Sequence, residues 1–215
     1  MLRRSLGVAH VSTGDMLRER VASGDALGRK VAGIMQSGGL VPDKTVNRMV
    51  AERIELPDCA TGFILDGYPR TVSQARLLLR EVLGPEGISP LVVHLKVDYN
   101  VIIARISGRR QCPECGALYG VVPNTGRAAE VCGLDGSKLV IRDDDRPEVV
   151  AERLKAYERQ TAPVLEFLRS AGETVWEVDG AAGSPAAIAR QIENLIGSRG
   201  CDPGVGYEAV RDEQV

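Results

Sequence analysis

The residues Asp66-Gly67-Tyr68-Pro69-Arg70 form the first group in this sequence that could carry out chemistry. They follow an apolar run that predicts a buried strand, and the Gly-Pro turn holds Asp66 and Arg70 close together. One interpretation is a structural turn with an ion pair. The functional interpretation is that Asp66 orients hydrated Mg²⁺ while the planar fork of Arg70 grips a phosphate.

A second group consists of arginines that surround a glycine-rich insertion. Arg105, Arg109 and Arg110 lie at one predicted helix end, and the spacing of four residues places Arg105 and Arg109 on one face. Like charges at that spacing repel each other, so an anion between them would stabilise the pair. Arg142 and Arg153 follow, near an acidic run. A solvated face is the ordinary explanation for one arginine, whereas several together favour an anion site.

The third group is a cysteine cluster with the spacing of two metal-binding knuckles. Of the five cysteines, Cys112, Cys115 and Cys132 fall in one stretch, and Asp135 completes a second knuckle. Thiolate and carboxylate are ligands of Zn²⁺, so the pattern predicts a structural zinc ion. Three buried thiols without metal and a nucleic-acid-binding knuckle are the alternatives. The knuckle interpretation is weaker because the loop 121–131 offers a single basic residue, Arg127.

Apolar periodicity predicts that strands and helices alternate along the chain. The expected strands cover residues 8–11, 62–66, 91–97 and 174–178. The expected helices begin at an N-cap on Ser12 and then cover about 26–37, 43–55, 72–83, 99–108, 147–170 and 185–196. Residues 109–145 break this rhythm.

This alternation predicts an α/β fold in which a parallel sheet is covered by helices on both faces. Ligands of such folds bind at the carboxyl ends of the strands. The candidate residues lie there, since Ser12-Thr13-Gly14-Asp15, Asp66 to Arg70 and Val178-Asp179-Gly180 each follow a predicted strand directly.

Composition narrows the possible partners. The net charge is −2 and 44% of the 215 residues are hydrophobic, so there is no chain-wide basic surface for nucleic acid. No apolar run reaches the length of a membrane span, and no apolar stretch of a secretory signal follows the first charged residues. We therefore expect a cytoplasmic protein that binds neither nucleic acid nor membrane.

Taken in order, these motifs resemble those of adenylate kinases from Leu2 to about Ile196. Each motif alone is weak, but the ordered set is specific. The set comprises Ser12-Thr13-Gly14-Asp15-Met16-Leu17-Arg18, Gly39-Leu40-Val41, Gly62 to Thr71 with Gln74, Gly108-Arg109-Arg110, the cysteine knuckles, Arg142-x-Asp144-Asp145, Arg153 and Val178-Asp179-Gly180.

The resemblance implies a P-loop nucleoside-monophosphate kinase fold and a set of site residues. The implied catalytic residues are Asp66, Arg70, Arg109, Arg142 and Arg153. The implied AMP site comprises Thr13, Arg18, Gly39, Leu40, Val41, Gly67, Tyr68, Pro69, Arg70, Gln74, Arg142 and Arg153, with Gln74 reading the adenine edge. The implied ATP site comprises Arg105, Arg109, Leu118, Tyr119 and Ala182.

The resemblance also implies a domain plan. Residues 1–108 and 147–197 would form the core, with an AMP-binding flap at 13–42 and a zinc-binding lid at 109–146. Residues 198–215 would be a flexible tail. The implied partners are ATP, AMP and ADP, with Mg²⁺ accompanying ATP, a structural Zn²⁺ held by Cys112, Cys115, Cys132 and Asp135, and a monomeric state.

One departure from the family pattern bears on activity. Adenylate kinases open with a central strand and a G-x-x-x-x-G-K-[ST] loop, and the 215 residues contain no such motif. We expect negligible ATP–AMP phosphotransfer from this chain, because charge-stabilising groups of this kind contribute about 10³–10⁵ in rate. A kinase for UMP or CMP and a non-catalytic zinc-binding relic are the alternative functions.

Overall fold

The computed structural model describes residues 1–121 and 128–198. Its strands are β1 (Ala9–Ser12), β2 (Phe63–Asp66), β3 (Val92–Lys96), β4 (Arg110–Gln111), β5 (Leu118–Tyr119) and β6 (Val175–Asp179). Its α-helices are α1 (Leu2–Leu6), α2 (Thr13–Ala22), α3 (Ala26–Gln36), α4 (Asp43–Ile54), α5 (Val72–Leu77), α6 (Tyr99–Ser107), α7 (Pro147–Ala156), α8 (Ala162–Ser170) and α9 (Pro185–Ser198).

The four long strands pair in parallel, which confirms the predicted α/β class. Strand β1 pairs with β2 in a register that sets Ser12 beside Asp66. Strand β3 pairs with β6 in a register that sets Lys96 beside Asp179. Within the described residues these four strands form two separate pairs rather than one continuous sheet, and β4 pairs with β5 in antiparallel fashion. Three of the four carboxyl ends, those of β1, β2 and β6, lead into the polar residues that the sequence places there.

A cleft of about 2750 Å³ is lined along their whole length by β2 and β3. The burial of the strands reflects this cleft. Val11 of β1 and Val178 of β6 are only 1% and 5% exposed, whereas every residue of β2 and β3 is at least partly exposed. Parallel strands are normally buried on both faces. The apolar side chains of β2 and β3 are therefore partly exposed at this cleft, although Phe63, Leu65 and Val92 also pack against buried core residues.

Most predicted element boundaries agree with the structure to within one or two residues. The predicted N-cap is present, because Ser12 Oγ accepts from the backbone N–H of Asp15 at 3.4 Å. The long helix expected over 147–170 is present but is interrupted by a π-helical segment at Tyr157–Thr161. Pro163 follows that segment and cannot donate a helical hydrogen bond, which accounts for the widened turn. A second π segment, Leu78–Leu83, extends α5.

The main core holds these elements together from one side of the cleft. Its buried residues come from α3, α4, the α5 region and the loops before α4 and after β2, and comprise Val31, Val41, Val46, Val50, Tyr68, Leu78 and Leu83. In the described part of the chain, no helix combines the length and apolar character needed to cross a bilayer. The tail expected over 198–215 lies outside the described residues, except that Ser198 ends α9. Arg127 also lies outside them.

Candidate active site

The loops that follow β1 and β2 are joined directly by a hydrogen bond. Thr13 Oγ1 donates to the carbonyl of Gly67 at 2.9 Å, and Thr13 is only 4% exposed. The parallel register of β1 and β2 brings these two loops to the same edge. Gly67 has a φ of +74°, and a Cβ there would lie 2.9 Å from Thr13 Oγ1. A side chain at position 67 would thus be strained and would also crowd the neighbouring loop.

The backbone of the β2 loop orients Arg70. Arg70 Nε donates to the carbonyl of Gly67 at 2.8 Å, and its backbone N–H donates to Gln74 Oε1 at 2.7 Å. Thr161 Oγ1 donates to the backbone carbonyl of Arg70 at 3.0 Å. The bond to Gly67 thus fixes the direction of the Arg70 guanidinium. Within the described residues its two terminal nitrogens make no hydrogen bond, so they can bind an anion.

Gln74 is almost fully buried, at 2% exposed, and both of its polar atoms are already in use. Its Nε2 donates to Asp43 Oδ1 at 2.8 Å, and the other oxygen of Asp43 accepts from Thr71 Oγ1 at 2.8 Å. One N–H of the amide is left after these contacts. The role of Gln74 in reading an adenine edge is therefore limited to that remaining donor and the second lone pair of Oε1.

Two adjacent carboxylates gather arginines from distant parts of the chain. Arg109 makes a two-point ion pair with Asp145, which includes a bond from Nε to Oδ2 at 2.7 Å. Arg153 Nη1 lies 3.4 Å from Asp145 Oδ1 and 3.4 Å from Asp144 Oδ2. Arg18 Nη1 lies 3.8 Å from that same Asp144 oxygen. The Asp145 side chain is fully buried, and Arg109 and Arg153 are its cationic partners within the described residues.

The cations of this cluster outnumber the acids that face them. Burial lowers the pKa of the Arg70 guanidinium, and the nearby positive charge of Arg153 lowers it further. Burial likewise lowers the pKa of Arg142, together with the charges of Arg18 and Arg109. The hydrogen bond to Asp145 raises the pKa of Arg109. A half-buried group of mutually repelling guanidiniums is suited to bind a polyanion.

Most of the residues expected at the AMP site line the large cleft. They are Thr13, Arg18, Gly39, Leu40, Val41, Gly67, Tyr68, Pro69, Arg70, Gln74 and Arg153, and the catalytic candidate Asp66 lies with them. Arg142 and Arg109 are outside this lining, although Arg109 pairs with Asp145, which also contacts the cleft residue Arg153. Arg142 Nε instead donates to Gln111 Oε1 at 2.7 Å, at the base of the cysteine segment, defined as residues 109–146.

The residues expected at the ATP site do not line one common pocket. Arg105 and Arg109 line a second pocket, of about 590 Å³, together with Tyr119. Arg105 Nη1 also donates to the carbonyl of Gly180 at 2.8 Å, in the loop after β6 that contains Ala182. The backbone N–H of Ala182 donates to Asp179 Oδ1 at 3.2 Å. Leu118 is 53% exposed and lines the large cleft rather than this pocket.

The cysteine cluster has a geometry that suits a tetrahedral ion. One ligand atom from each of Cys112, Cys115, Cys132 and Asp135 lies within 4.8 Å of all the others. The Sγ atoms of Cys115 and Cys132 are 3.6 Å apart. Two thiolates bound to one tetrahedral zinc at about 2.3 Å would be about 3.8 Å apart. The backbone N–H of Ser137 lowers the pKa of Asp135, which favours the anionic form that binds metal.

Sequence reasoning missed three residues that organise the site. His10 Nε2 lies 3.2 Å from Asp66 Oδ2, a contact that the β1–β2 register creates. Asp43 orients Gln74, and Asp145 joins Arg109 to Arg153. The acidic run after Arg142 was a usable signal for Asp145, because buried arginines need carboxylates. No local signal could have paired residue 43 with residue 74.

Sequence comparison finds proteins that are similar to this chain over most of its length. The family model described as adenylate kinase matches residues 1–173. An adenylate kinase from Anaeromyxobacter dehalogenans (strain 2CP-C) is 44% identical over 197 residues, covering 92% of this chain and 91% of the relative. One from Thermosipho melanesiensis is 41% identical over 197 residues, covering 91% and 90%. One from Oceanobacillus iheyensis is 42% identical over 175 residues, covering 81% of each.

The chain belongs to the adenylate kinase family. Its function is that of a phosphotransferase acting on ATP, AMP and ADP, with Mg²⁺ accompanying ATP. The alternative functions drawn from the sequence, a UMP or CMP kinase and a zinc-binding relic, are not favoured by these matches.

Proposed function

We propose that the arginine cluster at the strand ends performs the transfer of a phosphoryl group from ATP to AMP. AMP would bind between the β1 and β2 loops, at Thr13, Gly67 and Gln74, with its phosphate on Arg70 and Arg18. The observation that carries this assignment is the pair Asp144 and Asp145, which gathers Arg18, Arg109 and Arg153 at one end of the cleft. The whole implied AMP set, which also includes Gly39, Leu40, Val41, Tyr68, Pro69, Arg142 and Arg153, would act together.

ATP would approach from the opposite side, along α6. Its phosphates would meet Arg105 and Arg109, and its base would lie against Leu118, Tyr119 and the backbone near Ala182. A phosphoryl group in transfer spreads negative charge over its oxygens, so these guanidiniums would stabilise it without covalent chemistry. Bound Mg²⁺ would neutralise part of the phosphate charge, and Asp66, whose side chain is 63% exposed, would orient its water shell.

The cysteine segment would act as a lid stapled by Zn²⁺ at Cys112, Cys115, Cys132 and Asp135. Its buried core comprises Cys112, Cys132 and Leu139, so apolar burial alone stabilises it little. The ion would be structural, and the segment would close over the nucleotides to exclude water. This role requires that residues 109–146 move relative to the flap at 13–42 and the core.

Calorimetry tests the nucleotide sites directly. AMP and a non-hydrolysable ATP analogue should each bind with one-to-one stoichiometry, and UMP and CMP should bind at least tenfold more weakly than AMP. Binding is the decisive measurement because it reports on each nucleotide site separately. Absence of heat with AMP would overturn the proposal in favour of a relic.

A matched pair of variants locates the binding site. Arg153→Gln should weaken AMP binding by about 10- to 100-fold, since a charge-assisted hydrogen bond contributes about 1.5–3 kcal/mol. Arg169→Gln removes an exposed arginine that pairs with Glu177 and should leave binding unchanged. Equal affinities for the two variants would contradict the assignment. We also propose a monomer that acts in the cytoplasm, which sedimentation and cell fractionation would test.

A further inference from the structure

Tyr119 contacts the cysteine cluster through its hydroxyl group. Its Oη lies 3.2 Å from Cys132 Sγ, and it accepts a hydrogen bond from the backbone N–H of Gly133 at 2.9 Å. The ring packs against the small core formed by Cys112, Cys132 and Leu139. One side of this residue is thus fixed by contacts within the cysteine segment, which contains all four candidate metal ligands.

The same residue also lines the second pocket. That pocket, of about 590 Å³, lies between α6 and the β5 end of the cysteine segment, and its volume is typical of a small-molecule site. Val101, Ala104 and Ile106 supply apolar surface, while Arg105 supplies a cation. A flat apolar ring attached to an anionic group fits this combination.

The contact between Tyr119 and Cys132 makes the position of the ring depend on the cysteine cluster. The hydroxyl of Tyr119 contacts Cys132 Sγ and the backbone of Gly133, and the ring packs on a core of only three buried residues. An ion held by Cys132 and the other three candidate ligands would fix this sulfur, because a metal stabilises a short segment that has little core of its own. Without the ion the sulfur is held less firmly, and so is the tyrosine that contacts it.

We propose that Tyr119 is a positioning residue that couples metal occupancy of the cysteine cluster to binding of the ATP base, which would lie against the Tyr119 ring where that ring lines the α6 pocket. This inference rests on the proposed zinc and ATP sites. Metal at Cys132 holds the tyrosine ring as one wall of the pocket, and a base against that ring favours the metal-bound arrangement. Because such coupling is reciprocal, each ligand raises the affinity for the other by the same factor.

Calorimetry on zinc-loaded and chelator-stripped protein measures the coupling. Stripping should weaken binding of a non-hydrolysable ATP analogue by about fivefold or more, the lower end of typical coupling. AMP binding should stay within twofold, because its proposed site lies at Thr13 and Gly67. In Tyr119→Phe, zinc should still bind one-to-one, but stripping should no longer change the affinity for the analogue. Tyr157→Phe, which removes a hydroxyl near His94, should behave as wild type.

Cobalt(II) in place of zinc gives a readout that is independent of turnover. Addition of the ATP analogue should shift the thiolate-to-cobalt absorption bands of the wild type and of Tyr157→Phe, but not those of Tyr119→Phe. An equal shift in all three proteins would overturn the coupling. If zinc and analogue both bind but stripping has no effect in the wild type, the coupling fails while the proposed function stands. If neither binds, the proposed function fails as well.

Discussion

Arg109 and Asp145 form a two-point ion pair across 36 residues of sequence, with Nε donating to Oδ2 at 2.7 Å. The carboxylate is completely buried, and Arg153 is its second cationic partner. This pair fixes the start of the cysteine segment against its end, immediately before α7. Through Arg153, which lies on α7, the same carboxylate also connects the ends of the segment to that helix.

Substitution of Asp145 should therefore destabilise the fold. Asp145→Asn leaves Arg109 and Arg153 without a buried counter-charge, and breaking such a pair costs about 3 kcal/mol. Urea unfolding would measure the loss. The control is Asp143→Asn, an exposed neighbour in the same acidic run, which should change the unfolding free energy by less than about 0.5 kcal/mol. Similar midpoints for the two variants would show that the buried pair contributes nothing.

Replacement of Arg70 by lysine should separate charge from geometry. Lysine keeps the positive charge but loses the planar fork and the bond from Nε to Gly67. We expect AMP affinity to fall about tenfold or more by calorimetry. Arg76→Lys is the matched control, because Arg76 lies on α5 over the ring of Phe167, outside the cleft. Unchanged AMP binding by Arg70→Lys would mean that a simple point charge suffices there.

Metal analysis should find one zinc ion per chain. A chelator should lower the melting temperature, because an ion that binds only the folded state stabilises it by about 2.7 kcal/mol at 100 times its dissociation constant. Cys132→Ser should melt at the same temperature with and without chelator. If the chelator shifts wild type and variant alike, or if analysis finds no metal, the zinc site is wrong.

Stability should fall at alkaline pH through Tyr68. Burial, aided by the nearby charge of Asp43, raises the pKa of Tyr68 to about 12, whereas an unfolded tyrosine has a pKa of about 10. The raised value means that the contribution is full below pH 10 and is lost as pH rises toward 12, by at most about 1.4 kcal/mol per pH unit. The difference in unfolding free energy between wild type and Tyr68→Phe should therefore change across that window. A constant difference would contradict this assignment.

Local chemistry made part of this structure predictable. The Ser12 cap, the helix at 99–107 and the metal-ligand spacing of Cys112 and Cys115 each depend on residues a few positions apart. The positions of the β1 and β2 loops also followed, since parallel strands bring their carboxyl ends to one edge.

Other features depend on contacts that no local pattern encodes. The pairing of Arg109 with Asp145 and of Gln74 with Asp43 joins residues 36 and 31 positions apart. The alternation of β and α elements also did not predict that the long strands form two separate pairs, because this alternation is the same for one sheet or two. Pro163 was a usable sign of the interrupted helix, but the π geometry was not predictable from it.

The open cleft between β2 and β3 has a consequence for handling the protein. A strand with an unpaired edge and solvent-accessible apolar side chains can pair with a strand of another chain. Leu95 is 48% exposed next to Lys96, whose charge opposes such stacking. Self-association in concentrated solution should therefore begin at this pair of strands, and it should worsen in high salt, where the lysine charge is screened.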